Sequence, residues 1–413
     1  METVSSILSG VICPLILIIA GVAFGFRLRF FYLFHPIKLI KSISSREGGP
    51  SVKHLCLALA GTLGVGNMAG VSTAIISGGA GALFWMNASA VCAMSIKYIE
   101  VRLAMKTRVL TDSGYVGGAM YYIRRISPAL AAAFAVMCAA NSLLTGNIVQ
   151  VSAAAETFQI NPLFVGIAIG LPALWVSAGG GKRIADICGV VIPAVTAVYL
   201  IVTLYIIGTN IEKVPDVVKT VMENAFSLKS VGGGFSGFAV SRAVRFGITR
   251  GIFSNEAGSG TSPIAHSMAE TENSHSQACL GIVEVFIDTT LLCSLTGAVI
   301  LIYGGEGDGI ALVIRAYTAL AGEIAGRLIA LSVPIFAFST VICQSSYGLA
   351  SARYLGLGTR AEVVYLLMVF ASSVIGSVID TGVMWALADI IISLMTVINI
   401  VVIVQLSKKG SLY

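Results

Sequence analysis

Charge is what this chain has least of: 11% of its 413 residues are Asp, Glu, Lys or Arg, against about a quarter in an ordinary soluble domain. A water-soluble globular enzyme is thereby excluded. The cysteines (Cys13, Cys56, Cys92, Cys138, Cys188, Cys279, Cys293 and Cys343) stand singly within apolar stretches, with no CxxC pair. That pattern excludes a disulfide scaffold and a structural zinc site. No basic run with interleaved aromatics occurs, so the net charge of +6 does not signal nucleic acid. A basic excess is instead usual in the cytoplasmic loops of membrane proteins. Nothing in the sequence supports a soluble cofactor or a catalytic metal.

Apolar residues are what is abundant, at 56% of the chain with a mean hydropathy of +0.91. A transmembrane helix needs about 20 mostly apolar residues, so the chain reads as one polytopic, all-α membrane domain over residues 1–413. Apolar windows predict eleven spans, near 5–28, 53–77, 80–106, 128–157, 163–179, 186–208, 231–263, 278–303, 327–351, 361–379 and 383–406. The first has no Lys or Arg before it and is followed by Arg27, Arg29, Lys38 and Lys41. It is therefore expected to be a retained helix with its N-terminus outside, not a cleaved signal peptide. With the stretch from Arg27 to Lys53 inside, an odd count leaves the C-terminus cytoplasmic and assigns every basic residue to the inner side except Lys213, Lys219, Lys229, Arg315 and Arg327. That asymmetry is what short cytoplasmic loops require.

Two glycine clusters interrupt apolar spans, at Gly61–Asn67 in the second and at Gly232–Gly237 in the seventh. They lie five helices apart. Setting aside residues 1–52 as an extra N-terminal helix and its loop, 53–208 and 231–406 form two five-helix halves that each begin with a broken helix. An odd number of helices per half inverts the second relative to the first, as in inverted-repeat transporters. The repeat rests on position alone, since the halves share no evident sequence identity. The competing explanation, glycines for close helix packing, suits one cluster better than two at matching positions.

A discontinuous helix offers free N–H groups at one half and free C=O groups at the other. The amides of Val65 and Gly66 suit a carboxylate, and glycine permits its close approach. Asn67 adds an amide to cation or substrate, and the carbonyls of Ala60 and Leu63 are candidate ion ligands. Ser339 and Thr340 supply adjacent hydroxyls for sodium, or else hydrogen-bond back to their own helix. Gln150, polar at mid-helix, reads equally as a substrate contact or an interhelical hydrogen bond. Phe235 either walls the pocket or is a core aromatic. Glu284 and Asp288 lie one turn apart on one helix face, with Arg242 and Arg245 as candidate partners. Asp389 is a third acid within the apolar spans.

Specific motifs now accumulate. Gly64–Ile75 (GVGNMAGVSTAI) with Gly78–Met86 (GGAGALFWM), and Arg250–Gly258 (RGIFSNEAG), closely resemble the signature of the alanine or glycine:cation symporter family of the amino acid–polyamine–organocation superfamily. Gly117–Ile123, Gly146–Gln150, Phe286–Thr289, Phe336–Thr340 and Trp385–Asp389 match as well, in order, over about residues 55 to 405. The resemblance implies a leucine-transporter-like 5+5 inverted repeat with one extra N-terminal helix. It implies symport of alanine, glycine or a related small neutral amino acid with sodium, across a prokaryotic cytoplasmic membrane. Carried over by motif, Asn67, Gln150 and the Gly232–Gly237 break, with Gly234 and Phe235, would line the amino-acid site. The carbonyls of Ala60 and Leu63 with Ser339 and Thr340 would hold sodium, with Thr62 and Asn67 serving a second ion. The chain departs from the pattern after Thr340. An aromatic-rich stretch is usual there, whereas this chain has Gln344 in place of a Trp and Leu349 in place of a Glu, so Gln344 enlarges the pocket or makes it more polar.

Three other classes fit less well. Gly234-Phe235-Ser236-Gly237 has the Gly-x-Ser-Gly form of an intramembrane serine protease, but His35, His54, His266 and His275 are poorly placed to act as its base. A channel would need a filter sequence that is absent. Proton coupling or exchange on the same fold would draw on Asp288 or Asp389. The oligomeric state is not written in the sequence.

Overall fold

Apolar runs become the long helices of the chain. The computed structural model describes residues 7–44, 49–111, 114–158, 160–226, 234–307, 309–379 and 382–408, without the side chains of 234–241, 382 and 383. The helices are α1 (Leu8–Arg27), α2 (Val52–Thr62), α3 (Ala69–Gly78), α4 (Gly81–Thr107), α5 (Pro128–Glu156), α6 (Pro162–Ala178), α7 (Gly180–Thr209) and α8 (Val214–Ala225). There follow α9 (Gly234–Asn255), α10 (Pro263–Ser267), α11 (Ser274–Tyr303), α12 (Gly309–Tyr354, interrupted at Gly322), α13 (Gly358–Val378) and α14 (Gly382–Lys408). A two-stranded antiparallel hairpin, β1 (Val109–Thr111) with β2 (Gly114–Val116), pairs Val109 with Val116.

Local chemistry fixes several helix starts. Ser127 and Asn161 accept the amides of Leu130 and Leu163, each followed by a proline in the first turn, and Asn273 accepts that of Ser276. Among the described residues eight helices are long and apolar enough to cross a membrane, or nine when α2 and α3 are taken as one bent span. Of the other expected spans, α6 has 17 residues and α9 carries Arg242, Arg245 and Arg250.

The middle of the molecule is built from α4, which packs against α1, α9 and α11, and from α12, which packs against α2, α5 and α7. Outward-facing apolar side chains such as Trp175, Val190 and Ile201 are each at least 66% exposed. On a soluble protein such a belt would be a liability, whereas here it is the surface offered to lipid.

One charge assignment is corrected by the packing. Arg245 lies beside Gly10, and Thr249 donates to the Ser9 carbonyl, at the N-terminal end of α1. Arg27, at the other end of that helix, meets Ser407. Arg242 and Arg245 therefore do not share the membrane face of Arg27 and Lys408. Both guanidinium groups lie near the Phe246 ring.

Candidate functional site

Helix α2 stops at Thr62, Gly64 is extended, and a single 3-10 turn over Val65–Asn67 leads into α3 with a bend of 63°. A side chain at position 64 would crowd its neighbours. A Cβ there would lie 2.5 Å from Gln150 Oε1 and 2.9 Å from Thr340 Oγ1. The Val65 amide freed by the interruption donates to Gln150 Oε1 at 3.0 Å, and Gln150 Nε2 donates to the Thr145 carbonyl at 3.2 Å. Gln150 follows a π-helical turn, Leu144–Ile148, in α5. Such turns shift side-chain register and recur at functional sites.

A small cavity opens beside this break, lined by Gly61, Thr62, Gly66, Thr145, Gln150, Phe253, Ser254, Glu256, Thr340 and Gln344. Its volume is about 10 Å³, the space of a single water. Thr340 Oγ1 and Gln344 Oε1 on its wall are buried and have no hydrogen-bond partner among the described residues. Buried polar atoms are nearly always paired, so orphans converging on one cavity mark a ligand position.

Asn67, next to the cavity, points to α11. Its Nδ2 donates to Asp288 Oδ1 at 2.8 Å, Ser254 Oγ donates to Asp288 Oδ2 at 2.8 Å, and Thr289 Oγ1 donates to Oδ2 at 2.7 Å. Asn67 Oδ1 is buried and has no hydrogen-bond partner among the described residues. Asp288 sits in a second π-helical stretch, Phe286–Cys293.

A further interruption lies C-terminal to the Gly232–Gly237 cluster. Gly232 and Gly233 lie outside the described residues, and α9 is already helical at Gly234 and continues to Asn255. The break occupies residues 256–262, where Glu256 (φ 51°), Gly258 (φ 85°) and Gly260 (φ 78°) adopt left-handed backbone. Glu100 of α4 holds the freed amides: its carboxylate accepts from Gly258 N at 3.1 Å, Gly260 N at 3.0 Å and Asn399 Nδ2. Gly234 and Phe235, expected to line the site, belong to a helix whose cavity residues Phe253 and Ser254 are about 28 Å further along its axis. The side chain of Phe235 lies outside the described residues. Glycines at a helix start leave the ladder intact, whereas positive φ with a buried acceptor at hand ends it.

The hydroxyls divide. Ser339 Oγ donates back to the Phe336 carbonyl, and Thr62 Oγ1 to those of Ala58 and Leu59. Thr340 Oγ1 is the one of the three turned to the cavity without a partner among the described residues. Glu284 pairs with Lys97 at 3.2 Å and with His266 at 3.0 Å, and accepts from Ser262. Those partners replace the expected Arg242 and Arg245. Asp389 lines a separate cleft with Ser9, Cys13 and Thr249.

A cleft of polar orphans at the break of a membrane helix is the geometry of a transport site. The model of the sodium:alanine symporter family matches residues 1–411. This chain belongs to that family. Its relatives include the sodium/alanine symporter AgcS of Methanococcus maripaludis, 32% identical over 98% of this chain and 94% of the relative. The amino-acid carrier protein AlsT of Bacillus subtilis is 31% identical over 95% and 86%. The probable sodium/glutamine symporter GlnT of Bacillus subtilis is 30% identical over 99% and 89%. The crystal structure of MhsT in complex with L-phenylalanine superposes with a TM-score of 0.59 at 14% identity, covering 88% of this chain and 89% of that one. The fold is that of MhsT, and the chain is a membrane transporter, not an enzyme.

Within this family member, the cavity brings together Thr62, Gly66, Gln150, Thr340 and Gln344, with Val65 and Asn67 alongside. Sequence reasoning missed Thr145, Phe253, Ser254 and Glu256. Phe253–Glu256 were within the quoted RGIFSNEAG motif, at the end of α9 and the start of the break.

Proposed function

We propose that the protein is a sodium-coupled symporter of a small neutral amino acid, working in the cytoplasmic membrane by alternating access. The observation that carries this is the Val65 amide at the mid-helix break, facing a cavity with unpartnered Thr340 Oγ1 and Gln344 Oε1. Substrate carboxylate binds the amides of Val65 and Gly66, displacing Gln150 Oε1, and Asn67 and Gln150 border it. The family and the sodium/alanine symporter AgcS support sodium and alanine-like substrates.

One sodium ion is held by the carbonyls of Ala60 and Leu63 at the end of α2 with Thr340 and Ser339 of α12, whose hydroxyl oxygens keep lone pairs even where they donate. A second is favoured at Asn67 Oδ1, Ser254 and Asp288 over Thr62, since Thr62 is bonded back to its own helix. Counting α6 and α9 gives eleven crossings: an extra α1, then two five-helix halves, with the N-terminus outside and the C-terminus inside. Proton coupling or exchange is the alternative, and Asp288, an acceptor for three donors, is where it would act.

Substrate-stimulated uptake of labelled sodium into proteoliposomes of the purified protein tests this reading. Co-uptake that saturates with amino acid supports it, and amino-acid flux indifferent to sodium refutes it.

A further inference from the structure

Gln344 is held from two sides in the cavity wall. Its Nε2 donates to Glu256 Oε1 at 2.7 Å, and a carboxylate oxygen only accepts. Against an ionised Glu256 the amide presents Nε2 and turns Oε1 away. That oxygen belongs to a residue 1% exposed and has no partner among the described residues. The side-chain stem is equally fixed, because Gly146 of α5 packs against it so closely that a Cβ there would lie 2.4 Å from Gln344 Cβ and 2.5 Å from Cγ. Thr340 stands one turn earlier on the same helix face, its Oγ1 also unpartnered. Gln344 is thus a pre-positioned acceptor, held in place by Glu256 and Gly146.

We infer that Gln344 selects a neutral amino acid whose short side chain carries a hydrogen-bond donor, a hydroxyl or carboxamide, over alanine and glycine. This rests on the symport reading above. A donor on the substrate pairs the Gln344 oxygen, whereas the methyl of alanine leaves it buried and unpaired, and such sites discriminate strongly against the analogue lacking the group. The Glu256 carboxylate behind the amide disfavours acidic side chains through like charge. Thr145, Ser254 and Thr340 keep the rest of the wall polar, with Phe253 its one aromatic member.

The test is competition by unlabelled serine, threonine, asparagine, glutamine, alanine and glycine against labelled serine uptake in proteoliposomes. Thermal stabilisation of the detergent-solubilised protein by serine and by alanine, in sodium, runs alongside. The wild type is expected to prefer at least one donor-bearing amino acid over alanine by about tenfold or more. Gln344→Leu is expected to bring that ratio to about one. Wild-type protein that takes alanine as well as every donor-bearing competitor overturns the inference, as does an unchanged ratio in Gln344→Leu. If no amino acid is transported with sodium, the symport reading fails separately. The stabilisation arm then decides on its own: a shift with serine and none with alanine upholds Gln344, and equal or absent shifts overturn it. Since the wild-type arms need no variant, misfolding of Gln344→Leu does not decide the result.

Discussion

Gln150 Oε1 sits 3.0 Å from the Val65 amide, so a side chain of one helix holds the backbone donor that the break in another sets free. The glutamine oxygen stands in for the carboxylate that the site is proposed to bind. Substrate must displace it, and the displaced glutamine is then free to bond elsewhere.

That relationship gives the first test. Gln150→Glu puts a permanent carboxylate against the Val65 amide, and uptake is expected to fall by about a hundredfold through competition with substrate for one donor. Gln150→Ala, which removes the competitor and a substrate contact together, is expected to change KM more than maximal rate. Uptake kinetics over a range of substrate concentrations separate the two.

Gly64 gives the second. A methyl there meets Gln150 Oε1 and Thr340 Oγ1 well inside contact distance, so Gly64→Ala is expected to abolish uptake and cost about 1–3 kcal/mol of stability. Thr340→Val keeps the shape and removes the hydroxyl. It is expected to raise the sodium concentration for half-maximal uptake about tenfold, and Ser339→Ala to raise it less, because Ser339 is already bonded to Phe336 O.

Asp288 gives the third. Asp288→Asn removes charge but not size from the acceptor of Asn67, Ser254 and Thr289. Sodium affinity measured by thermal stabilisation is expected to drop about tenfold or more, as for a lost charged ligand. Sodium-driven uptake indistinguishable from wild type would rule Asp288 out of cation binding.

The fourth concerns folding. Lys97 and Glu284 are fully buried and pair at 3.2 Å, with His266 as the second partner of the carboxylate. Lys97→Met leaves that carboxylate without its lysine, and the expected loss is about 3–5 kcal/mol. Thermal unfolding in detergent measures it, and a double variant with Glu284→Gln is expected to recover part of the loss.

Much of this site was legible in the chain because the first break announces itself: Gly61, Gly64 and Gly66 within seven residues cannot sustain an apolar helix without a reason. The break at residues 256–262 lies away from the glycine-dense stretch Gly232–Gly237, whose first two residues are outside the described ones. That interruption is set by left-handed backbone at Glu256, Gly258 and Gly260, and Glu100, more than 150 residues earlier in sequence, accepts the amides of Gly258 and Gly260. Tertiary satisfaction of that kind leaves no local trace. The same holds for Glu284: its spacing from Asp288 was readable, but its partners Lys97 and His266 come from other helices. Asn67 and Gln150 were found because a lone amide within an apolar span is costly wherever the chain folds.

The most direct test of the central claim is accumulation of a labelled neutral amino acid in proteoliposomes under an inward sodium gradient, with internal and external pH equal. Transient accumulation above the external concentration, collapsing when sodium is equilibrated across the membrane, is the expected result. Uptake that only reaches equilibrium whatever the sodium gradient, or that rises above it only with a proton gradient, would contradict sodium symport.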